Sequence, residues 1–192
     1  MTRYVYDDCN RVISMTNAEG YETCFTYDEM DRVLTITDPR KGVIEYTYTD
    51  RGNVATATDR EGYTTFYECD GNRNMLKMTT PDGDTTYTYD GDENLVSKTD
   101  ADQYTTEYTY NGLDMVIHIN YNGGKQVDYT YIAVGDLVRM EDWTGINTFE
   151  YDLLSQLKRA TDHKGNVVEY DYDGNGNQTA VTYLDTDGGA EA

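Results

Sequence analysis

A chain of 192 residues with 36 acidic and 15 basic side chains carries a formal net charge of −21. A nucleic-acid backbone needs a basic stripe, so nucleic-acid binding is not expected, and an anionic membrane surface fits no better. No apolar run approaches the roughly 20 residues of a membrane-spanning helix, so no membrane insertion is expected.

In chain order, one slot recurs: Tyr6, Tyr27, Tyr48, Cys69, Tyr89, Tyr110, Tyr131, Tyr151 and Tyr172, at spacings of 21, 21, 21, 20, 21, 21, 20 and 21 residues. Two residues before each stands a second aromatic: Tyr4, Phe25, Tyr46, Tyr67, Tyr87, Tyr108, Tyr129, Phe149 and Tyr170. So regular a period marks a repeat architecture in which neighbouring copies stack. The repeats occupy residues 4–183 in about nine copies, with a short polar tail at 184–192, and one repeat domain over 1–192 is expected.

The copy starting at Tyr27 shows the elements. Val33 to Asp38 is rich in β-branched residues, Pro39 to Gly42 interrupts it, and Val43 to Asp50 alternates apolar with polar. Period two in Thr, Tyr and Val predicts strand, so each copy supplies two strands and two turns. An apolar residue lies six positions past each tyrosine slot, at Val12, Val33, Val54, Met75, Leu95, Val116, Leu137 and Leu157, with polar Gln178 in the last copy.

The first turn follows the tyrosine slot and often begins Asp-Gly or Asn-Gly, as at Asp70-Gly71, Asp90-Gly91, Asn111-Gly112 and Asp173-Gly174. Those dipeptides tolerate positive φ and predict tight hairpins. The second turn holds Gly20, Gly62, Gly83, Gly124, Gly145 and Gly165, with Lys41 and Gln103 in the two slots that lack glycine.

Stacked hairpins align equivalent side chains into columns, and 17 of the 23 Tyr and Phe residues fall in the two aromatic ones, which are expected to form the core. The fold class is all-β: tandem hairpins of about 21 residues in an antiparallel strip. A strip of about 18 strands is expected to curve or spiral, because twist accumulates.

These motifs resemble the RHS or YD-repeat family, whose unit reads approximately Y-D-x-x-G-R-L-x-x-x-T-D-x-x-G-x-x-x-x-Y-x-Y-D. The copy at Tyr27 gives Y-D-E-M-D-R-V-L-T-I-T-D and then Y-T-Y at Tyr46 to Tyr48; the copy at Tyr151 gives Y-D-L-L-S-Q-L-K-R-A-T-D and then Y-D-Y at Tyr170 to Tyr172. The resemblance implies a wall segment of a hollow β-shell, as in polymorphic toxins, insecticidal toxin complexes and teneurins. It implies an enclosed or presented toxin domain, flanking repeats or edge-to-edge self-association as partners, and a secreted or cell-surface location. Nine copies are too few to close such a shell, and no Asp-Pro-x-Gly-type core motif follows them, so a fragment is expected.

No enzyme activity and no cofactor are expected. His118 and His163 lie 45 residues apart, and none of the serines sits in an elbow motif. The strongest metal candidate is Asp171, Asp173 and Asn175, the first half of an EF-hand-like loop. Thr182 stands where that loop wants a bidentate glutamate, so turn chemistry is the better reading. Glycan binding is the rival function, with the off-column aromatics Tyr21, Tyr63, Tyr104, Tyr121 and Trp143 as candidates and Tyr183 beside them. Cys9, Cys24 and Cys69 lack metal spacing and are expected as free thiols, a Cys9–Cys24 bridge being the alternative.

Overall fold

The computed structural model describes residues 1–184 and 190–191. The strands are β1 (Arg3–Tyr6), β2 (Val12–Thr16), β3 (Glu22–Tyr27), β4 (Val33–Thr37), β5 (Val43–Tyr48), β6 (Val54–Thr58), β7 (Thr64–Cys69), β8 (Met75–Thr80), β9 (Gly83–Tyr89) and β10 (Leu95–Thr99). They continue as β11 (Thr105–Tyr110), β12 (Val116–Tyr121), β13 (Lys125–Tyr131), β14 (Leu137–Asp142), β15 (Gly145–Tyr151), β16 (Leu157–Thr161), β17 (Val167–Tyr172), β18 (Gln178–Leu184) and β19 (Ala190–Glu191). There is no helix among the described residues. Of the expected tail, Leu184 closes β18 and pairs with Ala190 of β19, whereas residues 185–189 and 192 lie outside the described residues.

The chain divides into two compact units: Met1–Tyr89 with Lys98–Gln103, and Asp90–Ser97 with Tyr104–Ala192. In the first, β1 to β9 form a meander, each strand antiparallel to the next. In the second, β11 to β19 do the same. Within each unit a strand touches only its sequence neighbours, so the sheet is one layer thick there.

That layering corrects the expected core. Most column aromatics are half-buried, while Tyr4 and Tyr6 of the first copy are exposed. Val127, at 6% exposure, is the one buried hydrophobic residue among the described residues. A single layer covers each ring from the sides and leaves one side open.

The turns correct a second expectation. Gly71, Gly91, Gly112 and Gly174 do not adopt positive φ; two positions further on, Arg73 (φ 79°), Glu93 (69°), Asp114 (57°) and Gly176 (84°) do. In the second turn the left-handed slots hold Gly20, Gly62 and Gly165, and also Lys41 (71°) and Gln103 (65°). Both turn classes therefore share one geometry, a type I turn closed by a left-handed fourth residue. Asp31 N–H donates to the Asp28 carbonyl and Asp28 N–H to the Arg32 carbonyl; Gly20, Asn17 and Tyr21 repeat the pattern in the second turn. The exceptions are the turn from Tyr121 to Lys125, where Gly123 (φ 93°) and Gly124 (82°) are both left-handed, and two shorter ones, where Thr80 faces Gly83 and Asp142 faces Gly145 across two-residue loops.

Eight of the slot residues, all but Tyr89, sit beside a β-bulge in the first hairpin among the described registers. Tyr27 faces Val33 while Thr26 faces Thr35, so Leu34 is the extra residue, and seven other hairpins repeat the shift. The bulge reverses strand parity locally. Val33 and Ile36 consequently both lie on the aromatic face, opposite Tyr27 and Phe25.

All three thiols are free, which sets aside the Cys9–Cys24 bridge: Cys9 is exposed in a turn, and Cys24 lies on β3 facing Ser14 and Thr37.

Candidate functional site on the tyrosine face

Cross-strand pairing sorts the side chains by face. On one face lie Phe25, Ile36 and Ile44, then Tyr46, Ala57 and Thr65, in register across successive strands. In the second unit Tyr108, Ile119 and Val127 continue the theme, as do Phe149, Ala160 and Val168. The opposite face is polar. Thr26 bonds Thr35 at 2.7 Å and Thr47 bonds Thr56 at 2.6 Å. Ion pairs join Lys77 to Asp84 at 2.8 Å and Arg139 to Glu141 at 2.7 Å, and His118 meets Asp128 at 2.7 Å.

The tyrosine hydroxyls tie one copy to the one before. Tyr27 donates to the Val12 carbonyl (2.7 Å), Tyr48 to Val33 (2.7 Å), Tyr89 to Met75 (3.0 Å), Tyr110 to Leu95 (2.8 Å) and Tyr172 to Leu157 (2.9 Å). Every acceptor is the apolar residue six positions past the previous slot, so the apolar column supplies backbone acceptors as well as packing. Sequence reasoning missed this acceptor; the signal was the regular offset between the two columns, 15 residues in four of the bonds and 14 from Tyr89 to Met75 in a 20-residue copy. Burial raises the phenol pKa of Tyr48, Tyr89, Tyr110, Tyr129 and Tyr151, as expected for rings removed from water.

The first-turn aspartates hold the loops. Asp28 Oδ1 accepts the N–H of Met30 (2.8 Å) and Arg32 (3.0 Å), while Oδ2 takes Arg32 Nε at 2.6 Å. The backbone N–H of Arg32, then its side chain and the N–H of Met30, hold the Asp28 carboxyl below the usual range against the opposing effect of burial. Arg32 then lies over the Tyr48 ring at 4.5 Å, and Arg11 over Tyr27 at 4.9 Å. Arg11 also reaches the Asp28 carbonyl (3.0 Å) and the Asp31 carboxylate (2.8 Å) of the next copy.

Among the proposed glycan residues, Tyr21 and Tyr63 stand exposed in the first unit, each as the fifth residue of a second turn. Tyr63 lines a pocket of about 430 Å³ with Asp59 and Asp82; Tyr21 lines one of about 520 Å³ with Asp38, Arg40 and Arg60. Tyr104 is exposed in the same turn position. Tyr121 and Trp143 meet edge to face at 6.1 Å, and Lys125 Nζ sits 4.6 Å over the Trp143 ring. That ammonium covers one face of the indole, although Trp143 is 54% exposed. Tyr183 lies across from Val168 on the aromatic face.

The metal candidate is held otherwise. Asp173 Oδ1 accepts the N–H of Asn175 and Asn177, and Oδ2 accepts Asn177 Nδ2, all at 2.9 Å. Asp171 lies on β17 facing Ala180. No cluster of three or more His, Cys, Asp or Glu side chains suited to a metal occurs among the described residues.

A family model described as Teneurin YD-shell matches residues 53–189, and one described as RHS Repeat matches residues 6–43. Among solved structures, a TcdB2–TccC3–TEV crystal structure superposes with a TM-score of 0.74 at 16% identity, covering 95% of this chain and 11% of that one. A Tc holotoxin pore from Photorhabdus luminescens gives 0.64 at 15% identity, covering 96% of this chain and 13% of that one. At these identities the likeness is one of fold, and the chain spans about an eighth or less of either structure's length. No curated protein matches it in sequence.

Proposed function

The chain belongs to the Teneurin YD-shell family, whose model spans residues 53–189, and from that premise we propose that it is a non-enzymatic wall segment of a β-shell that encloses or presents a toxin or effector domain. The observation that carries this reading is the chemical asymmetry of the sheet. One face is a half-buried aromatic surface cross-tied by Tyr48 to Val33 and Tyr110 to Leu95, and the other is a ladder of Thr and charged pairs. Such a layer separates two environments, and its polar side chains are engaged in turn caps and cross-strand pairs.

In this reading the partners are flanking repeats of the same polypeptide, or a second copy at a strand edge, and the enclosed domain. The location is secreted or cell-surface, no cofactor takes part, and the unbroken period supports one repeat domain over 1–192. Immunoblotting source cells tests the proposal. A polypeptide carrying many further copies, with a domain resistant to protease until the repeats unfold, supports it. A product in which no domain gains protection removes it.

A second reading, glycan binding, draws on the exposed Tyr63 and Tyr21 rings and their pockets. Glycan-array binding lost in Tyr63→Ala with the fold intact would promote it.

A further inference from the structure

Cys69 occupies the slot that tyrosine fills in the other eight copies. It faces Met75 across the hairpin as Tyr27 faces Val33, so the backbone keeps the geometry that positions a ring. The side chain ends at sulfur, and an open pocket of about 360 Å³ lies there, lined mainly by the apolar Tyr46, Val54, Ala57, Tyr67 and Met75 beside Cys69, together with Asn53 and Arg73. A second pocket of about 340 Å³ adjoins it, sharing Cys69 and Asn53. Asn53 holds the place of Arg32, whose guanidinium covers Tyr48 one copy earlier, so the side of the slot that an arginine covers there is more open here.

The acceptor for a phenol is also in place. Five column tyrosines donate to the carbonyl six positions past the preceding slot, and for Cys69 the equivalent carbonyl is that of Val54, a residue that lines the pocket. No side chain donates to it among the described residues, and a thiol on Cβ is too short to play the phenol's part. Apolar cavities left by a missing ring bind small aromatics.

We propose that the cavity at Cys69 is a binding site for small phenols, whose ring replaces the absent tyrosine ring and whose hydroxyl donates to the Val54 carbonyl. Its walls come from β5 to β8 of one unit. The site is independent of the shell reading, since a phenol site on this face requires neither cargo nor closure.

The test titrates 4-methylphenol into the whole 192-residue chain and follows amide and methyl NMR signals. Saturable shifts confined to Val54, Ala57, Cys69 and Met75 are expected. Toluene, which has the same shape but no hydroxyl, should bind about fivefold more weakly, the worth of one neutral hydrogen bond. Cys69→Tyr should abolish binding by filling the cavity from within, whereas Cys69→Ala, which retains the cavity and removes the thiol, should bind as well as the parent. If Cys69→Tyr does not fold, the toluene and alanine comparisons still decide. No saturable shift, equal binding of toluene, undiminished binding by folded Cys69→Tyr, or shifts centred on the Tyr21 and Tyr63 pockets would overturn the proposal.

Discussion

The first turns at Asp7 and Asp28 and those at Asp70, Asp90 and Asp173 close the same loop around different fifth residues. In the first pair the fifth residue is arginine, which bonds the aspartate through Nε and lies over the tyrosine of the next copy. In the other three it is asparagine, whose Nδ2 bonds the same aspartate oxygen at 3.2, 3.3 and 2.9 Å without reaching a ring. The loop is thus set by the aspartate and its two backbone partners. The fifth side chain only has to donate to Oδ2; arginine adds a cation over the neighbouring copy's ring, whereas Asn94 reaches its neighbour through Asp114 Oδ1 at 2.9 Å.

The strongest way to break this comparison is to remove the rings. Tyr48→Ala and Tyr110→Ala should each cost about 2–4 kcal/mol in denaturant unfolding. Tyr48→Ala should cost the more, because it also strips the Arg32 contact. Tyr48→Phe keeps the ring and loses only the bond to Val33, so it should cost about 0.5–1.5 kcal/mol. Equal effects of Phe and Ala would show that the hydroxyl, rather than the packing, joins the copies.

Asp28→Ala should lower the melting temperature more than Asp70→Ala does. The first frees an arginine that also holds the Thr49 carbonyl and the Tyr48 ring, the second an asparagine bonded through its side chain, among the described residues, to Asp70 alone. A double change, Asp28→Ala with Arg32→Asn, should reduce that excess. If the excess survives, the arginine is not its source.

Acid should act on both sets of turns. The carboxyls of Asp7, Asp28, Asp90 and Asp173 lie below their ordinary values, chiefly because backbone N–H groups, or the Asn177 side chain for Asp173, favour the charged form. A depressed native pKa contributes stability that is present above the unfolded value of about 3.9 and lost as pH falls below it. Melting followed from pH 7 to 2 in moderate salt, which screens the repulsion of the −21 charge, should therefore hold steady and then drop below about pH 4. Five column tyrosines, Tyr48, Tyr89, Tyr110, Tyr129 and Tyr151, work in the opposite direction. Their raised pKa values make stability fall as pH rises past about 10, and an alkaline titration with no loss there would mean that the rings ionise freely.

The smallest expected effect sharpens the shared turn geometry. Ser155 holds φ at 58° without being glycine. Ser155→Gly should stabilise by roughly 0.5–1 kcal/mol if relief of the left-handed strain outweighs glycine's added unfolded-state freedom. Gly62→Ala, at φ 88° with open space around the added methyl, should cost a similar amount.

The columns and strands were readable because Tyr, Thr and Val recur with both the repeat period and the strand period. The turns were not. Asp70-Gly71 carries the dipeptide of a two-residue hairpin, yet the loop is longer and its left-handed residue is Arg73. A search for glycine lands on the wrong position when the local fold forces Arg, Glu, Gln or Lys into that conformation. The bulge was equally hidden. Strict alternation puts Val33 and Ile36 on opposite faces, and only the extra residue at Leu34 brings them together. At Trp143 the sequence shows an aromatic outside the columns, while only the folded chain shows Lys125 lying on one of its faces.

The two copies that run 20 residues rather than 21 are short in the same place. Tyr89 still bonds Met75, which keeps its six-residue distance from Cys69, and the missing residue is in the two-residue loop between Thr80 and Gly83; the loop between Asp142 and Gly145 is short in the same way. The first-turn edge therefore acts as a ruler, while the second-turn edge absorbs insertions and deletions without shifting any column. For evolution or for an engineer, it is the margin on which a peptide, a tag or a recognition loop can be written.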